Sequence, residues 1–231
     1  MKIAVIIYGR CSYNLEASSA TWNFLNTLDC DAYVSTWKIY KQENTKGNKV
    51  YENVITEEVI KNCLKTNNIC IDDESFYSFK VKDNYIERCI VHWNNCMKMI
   101  LNSGIKYDNI MLLRIDSYIF PSFDSNIFLN LNKNDRIYGM NEIHFDKHGE
   151  YNIDPTFFFG TFNTMVEFLT NFPHHSTSLH IMVPEKIISM QKFVERIDNL
   201  NITFVRPNFD ELSDEEKKSP NKIREHSLKF K

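Results

Sequence analysis

Glycine and proline are scarce, with six of each in 231 residues. So few hinges and breakers predict one domain over 1–231 rather than modules on flexible linkers. Long apolar runs are missing too. The first, Ile3 to Tyr8, is far too short for a membrane helix or a signal-peptide core, and the others are similarly brief. The expectation is no membrane span and a cytoplasmic location. Neither sign of charge dominates: 27 Lys+Arg face 30 Asp+Glu, and they are scattered along the chain. That balance argues against nucleic acid as the main partner, which would call for a basic patch or stripe. The six cysteines (Cys11, Cys30, Cys63, Cys70, Cys89 and Cys96) include no CxxC pair, so they read as reduced, mostly core thiols. Walker A, GxGxxG and GxSxG patterns are absent, which removes the usual support for NTPase, Rossmann dehydrogenase and serine hydrolase readings.

What is present is an ordinary globular mixture, 43% hydrophobic and 25% charged, enough to fold without a metal or disulfide staple. Lys2 to Tyr8 is an Ile/Val-rich run closed by Gly9, as expected of a strand buried on both faces of a parallel sheet. Ser18 to Leu28 reads as a helix and Asp31 to Trp37 as a second strand, giving a βαβ unit. Residues 38–55 look polar and irregular. A helix is predicted over 57–66, capped by Thr56, and short strands within Ile69 to Val81. From Asn84 to Ser103, apolar residues at steps of three and four predict a long helix stopped by Gly104. Arg88, His92 and Asn95 share its polar face, which solvent alone could occupy. Asn109 to Ile115 is a third buried strand. Arg136 to Phe145 and Tyr151 to Gly160 read as two strands around a turn, Thr164 to Asn171 and Pro184 to Leu200 as helices, and Asn201 to Arg206 as a last strand. The sum is an α/β fold with a mixed, mostly parallel sheet flanked by helices.

In such a sheet, ligands bind beyond the carboxyl ends of the strands, where strand order reverses. Strand one ends in Tyr8-Gly9-Arg10, strand two in Ser35-Thr36-Trp37, and the third buried strand in Arg114-Ile115-Asp116. Gly9 permits close approach to the backbone. Arg10 and Arg114 suit phosphate oxygens, and Tyr8 or Trp37 offers a ring to a base or sugar. Asp116 is a carboxylate where Mg²⁺ or Mn²⁺ would bridge protein and diphosphate. The bland alternatives are a strand-ending glycine, a local Arg-x-Asp ion pair and a core tryptophan. His144 and His148 flank a turn, which disfavours a structural metal there.

The segments KIAVIIYGR, DAYVSTW, KYDNIMLLRIDSYIF and DPTFFFGTFNTM occur in that order across residues 2 to about 165. In them the chain resembles small GT-A-type glycosyltransferase-like proteins of surface-polysaccharide clusters and large DNA viruses. PEKIISMQKFVERIDNLNITFV is similar, more loosely, to the last helix and strand of that family. The resemblance implies a GT-A-like (Rossmann-like) fold, a nucleotide-sugar donor at the strand ends, a glycan or other hydroxyl acceptor, and Mn²⁺ or Mg²⁺ on the diphosphate. With the donor so placed, the strand ends and the polar helix face lead to expected substrate contacts from Tyr8, Gly9, Arg10, Thr36, Trp37, Arg88, His92, Asn95 and Arg114, with Asp116 as the expected metal ligand. GT-A enzymes usually carry Asp-x-Asp; here Arg114-Ile115-Asp116 lacks the first carboxylate, which puts metal dependence in question. Asp154, and after it Glu142, would take the acceptor proton in an inverting transfer. The alternatives are a nucleotidyltransferase, for which Gly9-Arg10-Cys11-Ser12 is a faint Gly-basic loop, or a catalytically silent nucleotide- or glycan-binding relative.

Overall fold

The computed structural model describes residues 1–11, 21–43, 50–79, 85–115, 117–119, 128, 137–139, 144–145, 151–152, 157–171, 194–196 and 202–204. In chain order these are β1 (Ile3–Tyr8), α1 (21–25), β2 (Cys30–Trp37), β3 (Ile39–Glu43), β4 (Val50–Val54), α2 (Glu57–Leu64) and β5 (Asn68–Asp72). There follow a one-turn 3₁₀ helix (Glu74–Phe76), α3 (Tyr85–Asn102), β6 (Asn109–Arg114), β7 (Ser117–Ile119), β8 (Ile137–Gly139), β9 (His144–Phe145) and β10 (Tyr151–Asn152). The last are β11 (Phe157–Thr161), α4 (Phe162–Asn171), β12 (Val194–Arg196) and β13 (Ile202–Phe204).

One seven-stranded sheet carries the architecture, in the order β12-β8-β11-β6-β1-β2-β5. Every pairing in it is parallel except those of β11 with β6 and β8. The fold is therefore the expected Rossmann-like α/β type with a mixed, mostly parallel sheet. β1 is wholly buried because its two faces are both covered, which is why its sequence shows no alternation. Ala4, Ile6 and Tyr8 pack with Cys89, Ile90, Trp93, Cys96, Met97 and Ile100 of α3 and with Met165 and Leu169 of α4. Ile3, Val5 and Ile7 pack on the other face with Phe24 and Leu25 of α1 and Ile60 and Leu64 of α2. Each such large side chain removed from water contributes about 1.5–3 kcal/mol before entropy is counted.

The chain thus runs β1-β2-β5 outward with α1 and α2 on one face, then returns to the other side of β1 through α3 on the opposite face. Strand order reverses between β1 and β6, so the crevice at their carboxyl ends is the switch point of the sheet. The amino ends are tied differently. The Tyr107 hydroxyl donates to Asp31 Oδ2 (2.8 Å) and meets the Tyr33 hydroxyl (2.7 Å), while Lys2 N donates to Asp108 Oδ2 (2.7 Å). The Tyr107-Asp108 pair therefore braces the sheet at the end remote from the switch point.

Local signals explain the helix limits. The Thr56 hydroxyl accepts from Val59 N at 3.4 Å, with Glu57 and Glu58 in the first turn of α2, as the sequence predicts. Gly104 follows α3 at φ +68°, a left-handed conformation suited to glycine. Two expectations are corrected. Within the span 38–55, Ile39–Glu43 and Val50–Val54 are not irregular: β3 and β4 pair with each other in antiparallel fashion instead of entering the main sheet. Where a helix is expected over Pro184 to Leu200, the described residues Val194–Arg196 are instead β12, which pairs in parallel with β8. The two strands expected around the 146–149 turn are present as antiparallel pairs, β9 with β10 and β8 with β11. The final strand pairs with β7. Residues 172–193 and 205–231 lie outside the described residues.

Candidate functional site

Register alone assembles the carboxyl ends. Tyr8 lies opposite Ser35 on one side and Arg114 on the other, and Trp37 lies opposite Asp72. The chain leaving β1 is then pinned. Gly9 N donates to Ser35 O (3.2 Å), and Cys11 N donates to the buried Thr36 hydroxyl (3.1 Å). Thr36 thus holds the loop after β1 in place rather than facing outward. Gly9 has φ +116°, where side-chain-bearing residues are strained; a Cβ there would lie 3.7 Å from Arg114 Cγ and from Ile115 Cγ2. There is room for a methyl group, so the backbone alone sets the cost. Gly9→Ala is expected to lower unfolding stability by roughly 1–3 kcal/mol, read as a shifted urea midpoint with unchanged slope.

Around this loop the polar side chains form two connected groups. In the first, Glu74 accepts from Arg10 Nη2 through both carboxylate oxygens (3.0 and 3.2 Å) and from Arg88 Nε. Arg88 also lies over the Phe79 ring, 4.6 Å from its centroid. In the second, Asp72 Oδ2 accepts from the Tyr77 hydroxyl (2.9 Å) and from Asn95 Nδ2, which also reaches Ser35 Oγ at 3.4 Å. Ser35 Oγ in turn bonds His92 Nδ1 at 2.8 Å. His92 is 1% exposed and lies 4.3 Å from the Trp37 ring. Burial, aided by the Arg10 charge, pushes its pKa down to about 3, so the imidazole is neutral. Its Nε2 has no hydrogen-bond partner among the described residues. Burial, then the bond to Asp72, raises the Tyr77 hydroxyl above its ordinary pKa.

The predicted residues therefore come together with different roles. Arg88, His92 and Asn95 are not a solvated helix face. They close over the ends of β2 and β5, because the start of α3 lies at the carboxyl edge of the sheet. Arg10 is exposed at the rim, and the Arg114 stem lies beside Gly9. Tyr8 and Trp37 are 0% and 2% exposed, and neither ring presents an open face. Tyr8 packs edge-on against Trp93 (5.6 Å), and Trp37 against Tyr77 (5.5 Å) and Phe79 (6.2 Å). Among the described residues the exposed ring at this end is Phe76, at 85%. The sequence reading missed Asp72, Glu74 and Tyr77. Their signal was the Asp72-Asp-Glu74 run at the end of a short strand.

Asp116, Glu142 and Asp154 lie outside the described residues. Among the described residues no three His, Cys, Asp or Glu side chains cluster as a metal site. The carboxylates that are close do not fit a divalent cation. Asp72 and Glu74 already accept from nitrogen and hydroxyl donors, and Asp73 caps the 3₁₀ turn by accepting from Ser75 N (3.0 Å) and its hydroxyl (2.6 Å). No helix among the described residues is long and apolar enough to cross a membrane.

No family model matches the chain, and no curated protein does. Among solved structures it is similar to a glycosyltransferase involved in the glycosylation of the major capsid of PBCV-1, at 9% identity over 85% of this chain and 82% of that one, with a TM-score of 0.40. It is similar to the inositol-1-phosphate CTP transferase from T. maritima, at 11% identity over 97% of both chains, TM-score 0.47. It is similar too to a nucleoside-diphosphate-sugar pyrophosphorylase from Vibrio cholerae RC9, at 9% identity over 87% of this chain and 94% of that one, TM-score 0.43. Likeness at this level assigns neither family nor activity to the chain.

Proposed function

We propose that the chain is a GT-A-type glycosyltransferase that moves a sugar from a nucleoside-diphosphate sugar to a hydroxyl of a glycan or related acceptor. The supporting observation is that Gly9, Arg10 and Arg114 lie where strand order reverses, with Arg88 and His92 beside them over the ends of β2 and β5. A diphosphate needs cations and hydrogen-bond donors, and a glycine lets it approach the backbone. Phe76 is the exposed aromatic that would meet the base or sugar. Catalysis is then positioning, with charge stabilisation of the departing diphosphate by the arginines. Asp116, directly past Arg114-Ile115, is the proposed ligand for Mn²⁺ or Mg²⁺; the bound ion would neutralise phosphate charge. Asp154 or Glu142 would take the acceptor proton if the anomeric configuration inverts.

A thermal-shift panel of nucleoside diphosphates, each with Mn²⁺ and with EDTA, tests this reading. One diphosphate at a hundred times its Kd should stabilise the native state by about 2.7 kcal/mol. The shift should need metal and be lost in Asp116→Ala. A shift indifferent to EDTA would assign the phosphate charge to Arg10, Arg88 and Arg114 instead. A shift with nucleoside triphosphates alone would favour a nucleotidyltransferase, and no shift with any nucleotide would sink the donor site.

A further inference from the structure

Glu74 joins three parts of the chain that sequence separates. Its carboxylate collects Arg10 from the loop after β1 and Arg88 from the start of α3, and it sits itself on the turn after β5. The turn does not use this carboxylate, because Asp73 supplies the cap. The group is not sealed in either: the side chains of Arg10, Glu74 and Arg88 are 45%, 29% and 19% exposed. Two guanidinium groups converging on one site match the oxygens of a phosphate, which would bring more negative charge than a carboxylate. The same place offers a further polar atom. His92 Nε2 is buried without a partner among the described residues, on a ring close enough to Arg10 to feel its charge.

We propose that Glu74 is a resident counter-ion in a phosphate subsite: its carboxylate holds Arg10 and Arg88 in place until a phosphate of the nucleoside diphosphate displaces it. The identity of that ligand rests on the donor reading above. The exchange makes no covalent bond. One carboxylate leaves two guanidinium groups, swinging on its own side-chain torsions. The turn beneath can stay closed through its bonds from Phe76 N to Asp73 O (3.1 Å) and Tyr77 N to Glu74 O (3.2 Å). The diphosphate then takes both guanidinium groups, and the net positive charge left by one carboxylate between two arginines is neutralised.

Calorimetric titration of the full chain with inorganic pyrophosphate, and separately with the nucleoside diphosphate that gives the largest thermal shift, tests this against Glu74→Gln. With the competing charge gone, the variant should bind pyrophosphate about fivefold or more tightly, the weight of a partly exposed ion pair. Glu74→Asp, which keeps the charge on a shorter stem, guards against a folding defect in the first variant; it should bind more tightly than the unaltered chain, by a smaller factor. Unchanged or weaker binding in both folded variants overturns the proposal and makes Glu74 a brace for the arginines. Tighter pyrophosphate binding with no nucleotide bound would keep the subsite and remove the donor reading. Metal-dependent nucleotide binding that neither variant alters would do the reverse.

Discussion

Trp37→Ala is expected to destabilise the chain by about 3–5 kcal/mol, the usual cost of emptying a large aromatic from a packed interior. Trp37 closes β2, is 2% exposed, and touches His92, Tyr77 and Phe79 at once. Removing the indole leaves a cavity between the sheet end and the polar groups above it, so His92 and Tyr77 lose the surface that positions them. Equilibrium unfolding in urea reads the effect directly. The same substitution also separates the two roles open to this ring. A stable variant with nucleotide binding abolished would make Trp37 a ligand platform despite its burial. A large loss of stability makes it the floor of the site. Arg10→Ala is the natural comparison, because a rim side chain removed from an exposed ion pair should move the midpoint little.

The second large effect is acid sensitivity centred on His92. Its ordinary pKa of 6.5 applies in the unfolded chain, whereas burial holds it at about 3 in the folded one. Between those values the unfolded state binds the proton and the folded state does not, so stability must fall as pH falls. The loss should begin near pH 6.5 and continue towards pH 3, with a slope approaching about 1.4 kcal/mol per pH unit from this one group. Above pH 6.5 both states are neutral and the contribution is flat. His92→Gln keeps a polar side chain without a titrating ring, so its stability-pH curve should be shallower in that window. Matching slopes for the two proteins would show that His92 is reached by water and that its pKa is near normal.

The sequence made the frame legible where one residue's environment decided its type. Ile3–Tyr8, Asn109–Arg114 and the apolar stripe of α3 declare themselves because both faces of the sheet are covered. Thr56 and Gly104 mark helix limits through local geometry. The β3–β4 hairpin was hidden because Ile39–Glu43 and Val50–Val54 pair with each other and carry polar residues without an apolar face. At Val194–Arg196, three residues of strand were masked by a helical pattern around them. The site was half legible. Strand ends and the helix face pointed to Arg10, Arg88, His92, Asn95 and Arg114, but not to what they hold. Glu74 is 64 residues from Arg10, and Asp72 is 23 from Asn95. No periodicity or spacing rule connects such pairs; only the folding of β5 beside β2 does.

The chain of bonds from Tyr77 through Asp72, Asn95 and Ser35 to His92 also bears on how this protein can drift over evolutionary time. Each member is both a partner and a constraint, most tightly at the Ser35–His92 end, where both residues are buried. A lone exchange of Ser35 for an aliphatic residue would strand an imidazole nitrogen in the interior, and a lone exchange of Asp72 would take a partner from a half-buried amide and a half-buried phenol. Ser35 and His92 are therefore expected to change together, whereas the half-buried Asp72, Tyr77 and Asn95 carry a weaker form of that constraint. Glu74 and the two arginines are likewise partly in water, so the rim can diversify while the buried Ser35–His92 pair beneath it stays the same.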